Sequence, residues 1–247
     1  MMELKYAASK VLSNVEVAEG IYELHVGSSV NIKPGQFFML SAWEGQMLLP
    51  RPISVHHVNE GEIVFLYQTK GKGTKLLSQL REGESLNILG PLGNGFDVEK
   101  IKGRVAVVAG GIGIAPMSYL IKSLSNCDID LYCGFRDEVY GVDKIKKAVS
   151  KIYISTDKGT TGHKGFITEI FDPKEYDMVL CCGPEVMMKK VAIRCREAGV
   201  PVYVSMEKYM ACGLGACLVC TCKTIYGNKR TCADGPVFQG EELQLDA

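Results

Sequence analysis

Short apolar segments separated by turn residues run through the chain up to about residue 99. Gly20–Val26, Gln36–Leu40 and Ile63–Gln68 are rich in branched and aromatic side chains, and Gly, Pro, Asn or Glu-Gly bounds each. This spacing predicts the strands of a small antiparallel barrel or sandwich. One stretch differs: Thr74–Leu80 places Leu76, Leu77 and Leu80 on one side of a short helix, with Thr74 as its N-cap. Beyond Arg104 the texture changes. Apolar runs at Val105–Ala109, Ile129–Cys133, Ile152–Ser155, Met178–Cys182 and Val202–Ser205 alternate with helical patterns, among them Pro116–Ser125 and most clearly Glu185–Ala198. That alternation predicts an α/β parallel sheet with crossover helices. Residues 206–247 lose the periodicity and become rich in Cys and Gly. Three domains are expected: 1–99, 100–205 and a small appendage over 206–247.

Composition narrows the functions available. The 247 residues carry 28 basic and 28 acidic side chains, a formal net charge of zero. That balance argues against nucleic acid or an anionic membrane as the main partner. The longest uncharged run, Val105–Ile121, is interrupted by three glycines and a proline, so no membrane span is expected. Ten cysteines are present, five of them between Cys212 and Cys232. The start, MMELKYAASK, has no apolar h-region, which favours a reducing cytoplasm and metal ligation before disulfides.

The cysteine cluster is the most specific signal. Cys212, Cys217 and Cys220 form C-x4-C-x2-C, and Cys232 follows after eleven intervening residues. Three thiolates from one loop and a fourth from a separate segment is the ligand spacing of plant-type [2Fe-2S] proteins. Gly213 and Gly215 let the backbone wrap closely. A zinc knuckle or a group of buried thiols is the bland alternative, but only one C-x2-C occurs here and no histidine follows within the segment. Cys222 in place of Cys220 gives a weaker match, and it is taken as a packed neighbour.

Two further candidates lie where apolar runs end. Gly110, Gly111 and Gly113 follow Val105–Ala109 and precede Pro116, which suits a first helical turn. Glycines there permit a sharp turn and let backbone amides approach a phosphate. The segment departs from G-x-G-x-x-G and is also compatible with an ordinary tight βα turn; its βαβ context favours a nucleotide. Cys182, Gly183 and Pro184 form a second such end, where Cys182 is positioned to face a nicotinamide, whereas Cys181, Cys127, Cys133 and Cys195 read as buried thiols. In the barrel region, Arg51, Pro52, Ile53 and Ser54 combine a pyrophosphate-binding arginine with a hydroxyl suited to a flavin ring. Gly73 and Thr74 add a phosphate candidate at the short helix, while Lys70, Lys72 and Lys75 read as a solvated hairpin tip. His25, His56, His57 and His163 lie in no motif for a general base or metal ligand, and His56 and His57 read as strand residues.

R-P-x-S with G-K-G-T, then G-G-x-G-x-A-P with C-G-P, then a cysteine loop: in this order the chain resembles the ferredoxin reductase superfamily. It is most similar to the electron-transfer subunits of class 1B dihydroorotate dehydrogenases, through Arg51–Ser54, Gly90–Phe96, Met210–Cys217 and Cys232–Phe238. The resemblance implies a β-barrel FAD domain, an α/β NAD domain and a C-terminal [2Fe-2S] domain. It assigns FAD to Arg51–Ser54, Leu66, Tyr67, Gln68, Gly73 and Thr74, and the cluster to Cys212, Cys217, Cys220 and Cys232. It further implies a heterotetramer with an FMN-containing catalytic subunit that oxidises dihydroorotate in pyrimidine synthesis. Electrons would pass from FMN through the cluster and FAD to NAD. The runner-up family is the flavin and iron–sulfur subunit of an NADH-dependent ferredoxin:NADP oxidoreductase, in which an aspartate is expected at the position of Cys212. A zinc-stabilised nucleotide-binding regulator is the non-redox alternative. Arg136 and Asp137 leave NAD against NADP open.

Overall fold

The structure is a computed structural model that describes residues 5–42 and 47–244; the first four residues of the amino-terminal segment discussed above lie outside the described range. Six antiparallel strands close into a barrel in the order β1-β2-β5-β4-β3-β6: β1 (Lys5–Ala18), β2 (Ile21–Gly27), β3 (Phe37–Ser41), β4 (Arg51–Asn59), β5 (Glu62–Gln68) and β6 (Ser85–Leu92). Closure removes the exposed edges of a sandwich. Leu24, Phe38, Leu40, Val55, Phe65, Tyr67 and Ile88 fill the interior.

The short helix α1 (Lys72–Ser78) joins β5 to β6 and turns Leu77 into that interior. It begins at Lys72, three residues before a helix capped by Thr74 would, so Thr74 is not its N-cap. Gly71 takes that place, and the Thr74 hydroxyl reaches back to accept the amides of Lys70 (2.9 Å) and Gly71 (3.2 Å). The side chain closes the turn from its third helical position.

The second unit is a parallel sheet of β7 (Gly103–Gly110), β8 (Cys127–Phe135), β9 (Lys151–Thr156), β10 (His163–Lys164), β11 (Met178–Cys182) and β12 (Val202–Ser205), ordered β10-β9-β8-β7-β11-β12. Both faces of β7 are covered, which explains its unbroken apolar run. Val105, Val107 and Ala109 pack with Ile114, Met117 and Leu120 of α2 (Ile114–Ser123). Ala106 and Val108 pack with Val191, Ala192 and Cys195 of α3 (Glu185–Ala198). The connection from β8 to β9 holds only a 3-10 turn at Lys146–Ala148 instead of a crossover helix. No helix among the described residues is long and apolar enough to cross a membrane.

The cysteine-rich tail forms a hairpin of β13 (Thr221–Thr224) and β14 (Gly227–Arg230), then β15 (Val237–Gln239). β15 pairs antiparallel with β12 and adds a seventh strand to the parallel sheet. Buried Phe238 carries it there, against Val204 and Met206. Strands of three or four residues are too short to show a period in sequence. Asn94 fastens the tail to the end of the barrel: its amide N–H donates to Gly235 O (2.6 Å) and its side chain to Ala233 O (3.0 Å).

Candidate functional site

The cysteine loop runs from the end of β12 to β13. Gly213 (φ 72°), Gly215 (φ 81°) and Leu218 (φ 61°) all adopt left-handed backbone. Alternating hand curls a chain so that its amides converge on an anion, and they converge on sulfur here. Leu214 N lies 3.3 Å from Cys212 Sγ, Gly215 N 3.1 Å from Cys232 Sγ, and Cys232 N 3.4 Å from Cys220 Sγ. Burial pushes the Cys212 thiol up, but the Cys217, Leu214 and Ala216 amides and the Cys217 thiol together bring it down to about 6.

The sulfurs fall into two pairs. Cys212 lies beside Cys217 and Cys220 beside Cys232, with Cys212 also within electrostatic reach of Cys232. Among the described residues no three His, Cys, Asp or Glu side chains converge as around one metal ion. A binuclear cluster takes two thiolates at each iron, whereas a structural zinc takes four ligands at one point. The pairs differ in surroundings. Cys220 and Cys232 are buried against Phe37, Met39 and Leu92 of the barrel, whereas Cys217 is exposed beside Leu214, Leu218 and Val219. Cys222 lies elsewhere, in a core with Met206, Phe238 and Leu243, and burial raises its thiol.

On the barrel, the ladder between β4 and β5 runs only from Val55 to Asn59. Residues 51–54 pair with β3, and 66–68 pair with β2. The two segments therefore share no ladder bonds with each other. The Arg51 guanidinium crosses directly over Gly73, where a Cβ would lie 2.5 Å from Nε. Arg51, Gly73 and Thr74 are thus brought together, although the Thr74 hydroxyl is already engaged within its turn. Pro52 lies opposite Met39 and Ser54 opposite Phe37, while Ile53 packs on the barrel core. Tyr67 points its ring into that core and donates to Asn14 Oδ1 (3.3 Å), Leu66 faces the sheet domain, and Gln68 pairs with Ile21.

The glycine turn and the Cys-Gly-Pro turn meet at the carboxyl ends of adjacent strands, with Cys182 opposite Ala109. Strand order reverses between β7 and β11, and ligands of open parallel sheets bind at such a switch point. The two turns touch through backbone. A Cβ on Gly113 would lie 2.3 Å from Cys182 O, one on Gly110 2.6 Å from Pro184 Cδ, and one on Gly183 2.8 Å from Gly110 N. Gly111 takes φ 52°. Cys182 itself is buried, and enclosure pushes its thiol well above the ordinary range.

The sequence profile of the iron–sulfur cluster binding domain of dihydroorotate dehydrogenase B matches residues 207–244. The chain is 52% identical to the dihydroorotate dehydrogenase B (NAD(+)) electron transfer subunit of Clostridium acetobutylicum, over 99% of this chain and 100% of that protein. It is 55% identical to the subunit of the same name from Clostridium perfringens, over 99% and 100%. The chain belongs to this family of electron transfer subunits. The fold extends to proteins of other names: a chain of the NADH-dependent reduced ferredoxin-NADP oxidoreductase is 30% identical, with TM-score 0.89 over 97% of this chain and 91% of that one. The ferredoxin reductase of carbazole 1,9a-dioxygenase shares the fold at 19% identity, with TM-score 0.71 over 82% and 69%.

Some site residues of this family member were not legible in its sequence. Arg230 grips Asp234 through Nε (2.9 Å) and Nη2 (3.0 Å) and donates to Gly215 O (3.2 Å), which ties the cysteine loop to the Cys232 segment. Its i,i+4 spacing from Asp234 was the only signal. His56 and Lys144 join the barrel to the sheet domain, and no motif marks either.

Proposed function

We propose that this chain is the electron-transfer subunit of an NAD-dependent dihydroorotate dehydrogenase, carrying electrons from the FMN of a separate catalytic subunit to NAD in pyrimidine synthesis. When bound, FAD, the [2Fe-2S] cluster and NAD supply the hydride and one-electron chemistry, and the protein supplies position and electrostatics. Cys212 with Cys217, and Cys220 with Cys232, hold the two irons. The amides of Leu214, Gly215 and Cys232 donate to their sulfurs and stabilise added negative charge. Arg51 and the Gly73–Thr74 turn hold the FAD pyrophosphate, and the open edges at 51–54 and 66–68 receive its ring. Gly110, Gly111, Gly113 and the Cys182–Pro184 turn take the dinucleotide, with Cys182 packed beside the nicotinamide.

The observation that carries this reading is the asymmetry of the cysteine pairs. The buried pair packs on Met39, which lies opposite Pro52 of the flavin strand. The outer pair opens to solvent among Leu214, Leu218 and Val219, which are 52%, 62% and 55% exposed. An apolar rim around an exposed ligand suits a protein partner. Electrons enter on that side and leave towards the barrel, and the FMN subunit docks there in a complex of two copies of each chain. All ten cysteines are unpaired, which fits a reducing cytoplasm.

Copurification of the native complex, followed by an assay of orotate formation with NAD, tests the proposal. A brown-yellow complex that forms orotate is expected. A partner without dihydroorotate activity, in a complex that reduces ferredoxin, would transfer the chain to the ferredoxin–NADP reading. A colourless chain with one bound zinc would refute both.

A further inference from the structure

The Cα ladder between β4 and β5 carries an irregularity at one residue. Val55 lies opposite Phe65 and His57 opposite Val64, so two positions advance on β4 for one on β5. His56 is the extra residue, a β-bulge five positions after the arginine of the flavin strand. Bulges bend a strand and re-aim side chains, and they recur beside active sites. This one turns His56 out of the barrel and onto the start of α2.

There His56 is 2% exposed, and its Nδ1 lies 3.1 Å from Ala115 O. A carbonyl only accepts, so Nδ1 carries the proton. Ala115 is two residues beyond Gly113, in the first turn of the helix whose free amides form the dinucleotide site. Neighbouring contacts fix the same junction. The His57 ring stands edge-on to Tyr119 of α2 at 6.2 Å, and Tyr119 donates to Ile32 O of the barrel (2.9 Å). Behind His56, Glu23 Oε2 of β2 lies 4.0 Å from Nε2, and Lys144 of the sheet domain grips both Glu23 oxygens.

One short path thus joins the two cofactor sites: Arg51–Ser54, the bulge, Nδ1–H, the Ala115 carbonyl, and the Gly110–Gly113 turn. Resting on the functional reading above, we propose that His56 is a positioning residue that fixes the nucleotide turn relative to the flavin strand and thereby sets the geometry of hydride exchange between flavin and nicotinamide. The exchange moves two electrons and a proton as hydride between the two rings, and His56 touches neither. Its effect is on distance and angle, where a misplacement of about 1 Å costs on the order of a hundredfold in rate.

The test is anaerobic stopped-flow reduction by NADH of the full-length, FAD-loaded chain, in His56→Leu and His56→Asn. Asparagine places its amide nitrogen where Nδ1 was; leucine removes the donor at similar volume. His56→Leu is expected to lower the limiting rate of flavin reduction by about tenfold or more. Calorimetric NAD+ affinity and the FAD content should stay within about twofold of the parent, because the ligand-contacting groups remain. Amide hydrogen exchange over residues 111–119 should accelerate in His56→Leu, and His56→Asn should restore both exchange and rate. Should His56→Leu fail to fold, His56→Gln replaces it, since its amide sits at the Nε2 position and leaves Ala115 O unpartnered. An unchanged limiting rate in the donor-less variant would overturn the proposal. So would parallel losses of rate, NAD+ affinity and melting temperature that His56→Asn does not rescue, because they mark a purely structural role. A parent chain that takes up FAD but is not reduced by NADH would instead sink the functional reading, and the proposal with it.

Discussion

The cysteine loop and the nucleotide turn are both built on glycine, for opposite reasons. In the loop, Gly213 and Gly215 hold φ near 72° and 81°, and the flexible Met39 side chain is the main atom group in the way of a Cβ on Gly213. In the turn, Gly110 and Gly113 hold ordinary φ of −118° and −59°, which any residue adopts. They are glycine because backbone and a proline ring from the neighbouring turn occupy the space where a Cβ would be. Conformation decides Gly213 and room decides Gly113. At Gly213 the loop can therefore yield to substitution by shifting the Met39 side chain, whereas at Gly113 the turn has only main chain to move. The loop also leaves Cys217 in solvent, whereas the first turn of α2 is covered by His56.

The comparison is broken most severely at sulfur. Serine at Cys212, Cys217, Cys220 or Cys232 is expected to abolish or strongly disturb the visible iron–sulfur absorption, while Cys222→Ser keeps it. Loss in Cys222→Ser with retention in Cys220→Ser would reverse that ligand choice.

Next in size is Gly113→Ala. Its Cβ would meet the Cys182 carbonyl at 2.3 Å, and overpacking against backbone costs about 3 kcal/mol, read as a lower urea midpoint. A cost below that of Gly213→Ala would show that the turn is not limited by space.

Acid should loosen the seal over the turn by a similar amount. Burial, with Lys144 and His57 adding to it, outweighs the Ala115 hydrogen bond and Glu23, and lowers His56 from 6.5 to about 4. Between those values the unfolded chain binds the proton and the folded chain does not, so stability rises with pH. His56 contributes its full share above pH 6.5, and about 3 kcal/mol of it is lost as pH falls to 4. Denaturant midpoints across this range should fall more shallowly in His56→Asn; an unaltered slope would show that His56 is hydrated in solution.

The smallest effect is expected for Gly213→Ala, about 1–2 kcal/mol for an alanine held in left-handed backbone. Iron–sulfur absorption should survive, since Met39 can swing aside. Its loss would show that the loop, like the turn, is limited by room.

Much of this architecture was legible in sequence. Unbroken apolar runs marked β7 and β11 because parallel strands are buried on both faces, and α3 emerged with its expected bounds. The N-cap of α1 was misplaced by three residues, since Thr74 bonds backward from inside the helix. β15 was invisible because three residues carry no period and its partner, β12, lies more than thirty positions away. The spacing of Cys212, Cys217, Cys220 and Cys232 proposed a ligand set, but their division into a buried and an exposed pair depends on how the loop packs against Met39 and Leu92.

The sequence alone determined the residue types able to hold sulfur-bound iron, phosphate and flavin, because those demands are local: spacing along one loop, glycine in one turn, arginine beside one proline. Only the tertiary structure decided which of these groups meet. A ladder slip of one residue at His56, the approach of Cys182 to Gly113, and the seating of Cys220 and Cys232 on the barrel all arise between segments far apart in the chain. Such contacts are fixed by packing and strand register, which no single stretch of sequence encodes.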